Sequence, residues 1–105
     1  MKDMTSLRQF EQVLNSTNPV FVDFWAEWYG PFRAVFPVLE KLSGEYKDKV
    51  NFVKVNVDQI NENALRYNIF SVPTLAIFES GEAISQTVGS FTKDKIRSYI
   101  DSNVN

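Results

Sequence analysis

Asp23 is a lone carboxylate inside the stretch 19–26, which is otherwise the longest apolar run of this 105-residue sequence. Burial penalises the charged form of such a group, so its pKa rises and its presence costs stability unless it is paired or hydrated. Perturbed groups of this kind concentrate where protons are moved. Immediately downstream, Trp28-Tyr29-Gly30-Pro31-Phe32-Arg33 sets three aromatic rings around a Gly-Pro pair. Tyr29 is a poor nucleophile at neutral pH, because a phenol titrates near ~10 and no histidine exists to act as its base. The chain also has no cysteine, so it has neither a thiolate to attack a disulfide nor a second thiol to resolve the mixed disulfide. Without thiolates or imidazoles, a zinc, copper or iron site would depend on carboxylates alone. No acidic cluster has suitable loop spacing, so neither a metal nor a cofactor is expected.

The elements that must position these residues are legible as an alternation of helices and strands. Ser6 and Gln9 form a capping box at the start of a helix over 6–15, whose Leu7, Phe10, Val13 and Leu14 share one face. Any strand before it must be short. The run 20–26, rich in Val and Phe, is expected to be a strand buried on both faces and central to its sheet. Pro31 fits the first turn of a helix running to about Tyr46, which Pro37 should kink. A strand over 51–56, a short helix over 61–67, a hairpin of 74–79 with 84–88 turned at Ser80-Gly81-Glu82, and a closing helix over 92–102 complete the order β-α-β-α-β-α-β-β-α. This is an α/β fold, a central mixed β-sheet flanked by helices on both faces.

Composition sets the outer limits. The 105 residues are read as one domain, 1–105, with no linker, repeat or low-complexity segment. Thirteen acidic and eleven basic residues give a net charge of −2 and are scattered without blocks. No nucleic acid and no membrane are therefore expected as partners. The apolar run is too short to span a bilayer, and Met1-Lys2-Asp3-Met4-Thr5 begins no signal peptide, so the expected location is cytoplasmic.

The segment Phe21-Val22-Asp23-Phe24-Trp25-Ala26-Glu27-Trp28, then Gly30-Pro31 and the distant Val72-Pro73-Thr74, resembles the thioredoxin family. Pro37, Val55-Asn56-Val57-Asp58, Gly81 and Val88-Gly89 match in the same order, and the likeness covers essentially the whole chain. It implies the thioredoxin fold. The departures fall on the two reacting positions: Tyr29 and Phe32 stand where the family's Trp-Cys-Gly-Pro-Cys motif has its cysteines.

The resemblance gives each site residue a role to weigh. Tyr29 inherits the exposed position at the helix N-terminus, either as a surface aromatic or as a ligand contact. Phe32 replaces the more buried thiol and, at helical spacing with Phe36 and Leu39, is expected to join the apolar helix face. In the family, the acid at Asp23 assists proton transfer at the buried cysteine, with a lysine at the position of Lys54 nearby. Here Asp23 reads as a relic, paired with Lys54 or with water. The bond before Pro73 is implied to be cis, leaving the backbone of Val72 free to pair with an extended segment of a partner. Trp28, Tyr29, Gly30, Pro31, Val72, Pro73, Gly89 and Ser90 would line that groove. Phe70 either extends the apolar patch or folds inward.

Three functional classes follow. The first is a redox-inactive, monomeric binding module that holds a protein or extended peptide in the groove. The second is a cysteine-to-aromatic site variant of a thioredoxin whose parent is a cytoplasmic protein-disulfide reductase. The third is an assembly subunit using its helical faces. Cysteine to tyrosine and cysteine to phenylalanine are each single-base changes, which favours divergence or redesign over routine inactivation.

Overall fold

The computed structural model describes residues 1–27, 34–60, 74–88 and 91–104. Within them run β1 (Lys2–Met4), α1 (Leu7–Leu14), β2 (Val20–Trp25), α2 (Phe36–Glu45), β3 (Asn51–Asn56), β4 (Thr74–Glu79), β5 (Glu82–Val88) and α3 (Lys93–Asn103). The five strands form one sheet in the order β1-β3-β2-β4-β5. β3 is parallel to both β1 and β2, whereas β4 is antiparallel to β2 and to β5, so the sheet is mixed. The helix expected over 61–67 lies outside the described residues.

β2 is central, and all six of its residues are buried. Its alternation divides the core between the two faces of the sheet. Val20, Val22 and Phe24 pack with Phe10 and Leu14 of α1 on one face. There Phe10 meets the edges of Phe24 and Phe78 at centroid distances of 6.1 and 5.7 Å. Phe21 and Trp25 face the other way, against Leu39 and Leu42 of α2 and Ile96 and Ile100 of α3. Helices thus cover both faces, as the alternation implied.

Local chemistry sets the ends of the elements. The Ser6 hydroxyl oxygen accepts the Gln9 N–H at 3.2 Å, which is half of the expected capping box. The Gln9 carbonyl turns instead to Thr5, accepting its N–H and its hydroxyl, each at 2.9 Å. Thr92 caps α3 by accepting the Lys95 N–H at 3.2 Å. The Glu45 carboxylate at the end of α2 accepts from Arg97 at 2.6 Å and pairs with Lys93 at 3.1 Å, tying α2 to α3. These two cations hold its carboxyl below the usual range.

The helix expected from Pro31 to about Tyr46 is described from residue 34 on, where a 3₁₀ turn at Ala34 and Val35 gives way to the regular α-helix at Phe36; its expected start at Pro31 lies outside the described residues. Pro37 stands directly after this change, in the first turn of α2. Its missing N–H would have no partner in that turn in any case.

The hairpin is tighter than the sequence suggested, because β5 starts at Glu82 and only Ser80 and Gly81 form the loop. Both have positive φ, 53° and 81°, as a type I′ turn requires. The strand that was expected to start at Ile84 begins two residues earlier, and a register shift beside Ile77 and Phe78 absorbs the difference. An added Cβ at Gly81 would meet nothing within 4 Å, so any cost there is conformational. Gly81→Ala should therefore lower the unfolding free energy by ~1–2 kcal/mol, while Ser80→Asn, which tolerates this conformation, should raise it slightly. Chemical denaturation of the two variants checks both signs.

Candidate functional site

The sheet register brings several loose ends to one edge. Phe24 pairs with Thr74, and Thr74 pairs with Val88, so the exits of β2 and β5 and the entry of β4 meet there. The sequence segments 28–33, 61–73 and 89–90 attach to these ends. Trp28, Tyr29, Gly30, Pro31, Phe32, Phe70, Val72, Pro73, Gly89 and Ser90 all lie outside the described residues. Asp23 and Lys54 are the candidate site residues whose side chains the structure places.

Asp23 projects from β2 onto the face covered by α2 and α3 and is fully buried. Neither carboxyl oxygen accepts a hydrogen bond. Burial raises its pKa well above the ordinary value of 3.8, and the nearby Lys54 charge opposes this only in part. Lys54 lies in register with Asp23 on the adjacent parallel strand. Its ammonium nonetheless makes no ion pair with Asp23 and rests 4.4 Å from the centroid of the Phe36 ring and 5.8 Å from that of Trp25. Such cation–ring contacts contribute ~0.5–2 kcal/mol.

Trp25 completes the group. Its ring meets Phe36 edge to face at 5.2 Å and 83°, and its buried Nε1 has no hydrogen-bond partner. Sequence reasoning named Asp23 and Lys54 but assigned Trp25 and Phe36 no part in the site. The signal for Trp25 was present, since residues two apart on a strand share a face. Phe36 needed the packing of α2 onto the sheet.

The arrangement can hold a proton on Asp23 and a cation above two rings. Among the described residues there is no group of three or more acidic side chains that could hold a metal ion. Among the same residues, no helix is long and apolar enough to cross a membrane.

Among the described residues, a five-stranded mixed sheet in this order, with one helix on one face, two on the other, and a buried acid on its central strand, defines an α/β protein. The thioredoxin family model matches residues 2–102. Thioredoxin C-2 of Corynebacterium nephridii is 46% identical over 92 residues, covering 88% of this chain and 85% of that protein. Thioredoxin 1 of Synechococcus elongatus is 42% identical over 94 residues, covering 90% and 88%, and the thioredoxin of Buchnera aphidicola is 38% identical over 103 residues, covering 98% and 95%. The chain belongs to the thioredoxin family, and it does so without a cysteine.

Two consequences of the buried carboxyl can be measured. An unpartnered polar group costs ~1–3 kcal/mol, so Asp23→Leu should leave stability at neutral pH unchanged or raise it by that order. In the unsubstituted chain, folded and unfolded states both hold the proton at low pH. As pH rises past 3.8 the unfolded state releases it first, so stability should fall by ~1.4 kcal/mol per pH unit until the higher folded value is reached, and then level off. Urea titrations across pH, with Asp23→Leu showing no such decline, test the assignment.

Proposed function

We propose that this chain is a redox-inactive thioredoxin-family binding module, holding an extended segment of a protein partner beside Val72-Pro73 and against Trp28, Tyr29 and Phe70. Gly30, Pro31, Gly89 and Ser90 complete the groove. The module acts as a monomer in the cytoplasm. The observation that carries this reading is that family likeness runs through residues 2–102 while sulfur is absent from both reacting positions. Strand-like pairing and aromatic contact need no thiol, so the loss of exchange chemistry leaves the binding capacity of such a groove untouched. The convergence of β2, β4 and β5 at one edge supports it, because the groove segments attach there.

A second reading, a site variant of a disulfide-reductase parent, is favoured by Asp23. A buried, unpartnered carboxyl is a costly group to keep, and it suits a site that once moved a proton.

Activity separates these readings. The chain itself should show no reduction of a protein disulfide above the reductant-only background. Tyr29→Cys with Phe32→Cys should recover turnover, and either substitution alone should not. A double variant that folds and forms its disulfide yet stays inert would mean that the site has diverged beyond these two positions.

Binding tests the proposal directly. Central interface aromatics commonly contribute more than ~1 kcal/mol each, so Trp28→Ala and Tyr29→Ala should each weaken a purified partner's binding several-fold to tenfold. The partner is first recovered from source lysate and then titrated against folded variants. Equal affinities would remove the groove from consideration and leave the helical faces as the binding surface.

A further inference from the structure

We propose that a notch in the sheet, where β3 runs past the start of β1, binds the C-terminal end of an extended peptide by the N–H and the carboxylate of its last residue. The notch lies where Asn51 pairs with Val20, at the opposite end of β2 from the Phe24–Thr74 pair beside the groove segments. The inference therefore stands whether or not the groove holds a partner.

The sheet leaves this edge open. β3 starts at Asn51, but β1 pairs with it only at Val53, Lys54 and Val55. Backbone alternation determines which groups the open edge presents. The Asn51 N–H donates to the Pro19 carbonyl at 2.9 Å, on the β2 side. A trans peptide unit points its C=O opposite to its N–H, so the Val50 carbonyl faces the notch, and strand alternation sends the Phe52 N–H the same way. Val50 and Phe52 are only 4% and 6% exposed, yet both line the cavity found here, as a backbone edge does when its side chains are buried.

The surroundings fit a carboxylate. The cavity has a volume of about 420 Å³, the size of a small-ligand site. Two exposed ammonium groups, Lys2 and Lys47, line it against one described carboxylate, Asp48. Its wall is braced by hydrogen bonds, in which Asn18 Nδ2 donates to the Asp48 carbonyl at 3.4 Å and Asn51 Nδ2 donates to Ser16 Oγ at 3.0 Å. Asp48 takes a φ of 70° at the turn that leads from α2 into β3. The notch is thus preformed, and binding has little of the protein to order.

The last residue of a peptide can use all of these groups together. In parallel pairing, the residue opposite Asn51 donates its N–H to the Val50 carbonyl and accepts the Phe52 N–H. β1 occupies the space beyond, so a strand laid in line with it and in the same direction has to end in the notch. A terminal carboxylate accepts the Phe52 N–H through one oxygen and offers the other to a lysine, a charge-assisted bond that a mid-chain carbonyl cannot add. A strand of the opposite direction would begin there with an ammonium group, which Lys2 and Lys47 repel.

Amide NMR of the full chain, titrated with N-acetyl-Ala-Ser-Val as the free acid, tests the assignment. The Phe52 N–H should move downfield and saturate, with a Kd of about 1 mM or below. The same peptide with an amidated C-terminus should bind at least about tenfold more weakly. Lys47→Met and Lys2→Met, both at exposed positions, should each weaken binding of the acid several-fold and leave that of the amide unchanged. N-acetylvaline, which carries the same carboxylate without the strand, should bind more weakly than the tripeptide; equal affinity would overturn the peptide in favour of a small acylated amino acid. A Phe52 signal that stays fixed up to about 10 mM peptide, or equal affinities for acid and amide, would overturn the proposal. Shifts centred on Thr74 and Val88 would overturn it as well, by placing the peptide in the groove.

Discussion

Because β2 is buried on both faces and paired along both edges, its backbone groups find partners in β3 and β4 while every side chain must be accommodated by packing. Five of its six residues, Val20, Phe21, Val22, Phe24 and Trp25, are apolar or aromatic and fill the two halves of the core. Asp23 has no such fit. The placement of α1 on one side and of α2 and α3 on the other follows from the need to cover this strand, and so does the isolation of the one carboxyl it carries.

The same burial links stability to chemistry. In the thioredoxin family, a buried acid beneath a dithiol has a proton to exchange with it, which justifies its cost. In this chain the dithiol positions hold Tyr29 and Phe32, and the acid remains with Lys54 and two aromatic rings as neighbours. What is left is an electrostatic element without a thiol to serve. Its neutral form suits the apolar surroundings, and among the described residues Lys54 is the cation whose field reaches its ionised form.

The fold was largely legible in the sequence because its signals are local and repeated. The Val and Phe run predicted a doubly buried strand, the Ser6 cap located α1, and Gly81 located the hairpin turn. Boundaries were less legible where two neighbouring signals compete. Pro37 marks a break in a helical pattern, but where the regular α-helical stretch begins depends on backbone hydrogen bonding, which in the described residues starts at Phe36. The connection between the hairpin strands is also two residues shorter than expected, because Ser80 accepts a positive φ beside Gly81 and lets β5 begin at Glu82.

By itself the sequence determined the family, the order of the elements, the absence of thiol and imidazole chemistry, and the presence of an acid inside an apolar strand. These follow from residue identity and short-range periodicity. The residues proposed to line a groove belong to segments whose geometry no periodicity specifies, so their roles rest on resemblance. Only the tertiary structure decided that Asp23 has no hydrogen-bond partner and that Lys54 rests on Phe36 in place of an ion pair with it. The reason is physical: strand register brings Asp23 and Lys54 side by side, but the position of a long, flexible cation depends on what α2 packs above it, and that contact joins residues far apart in the chain.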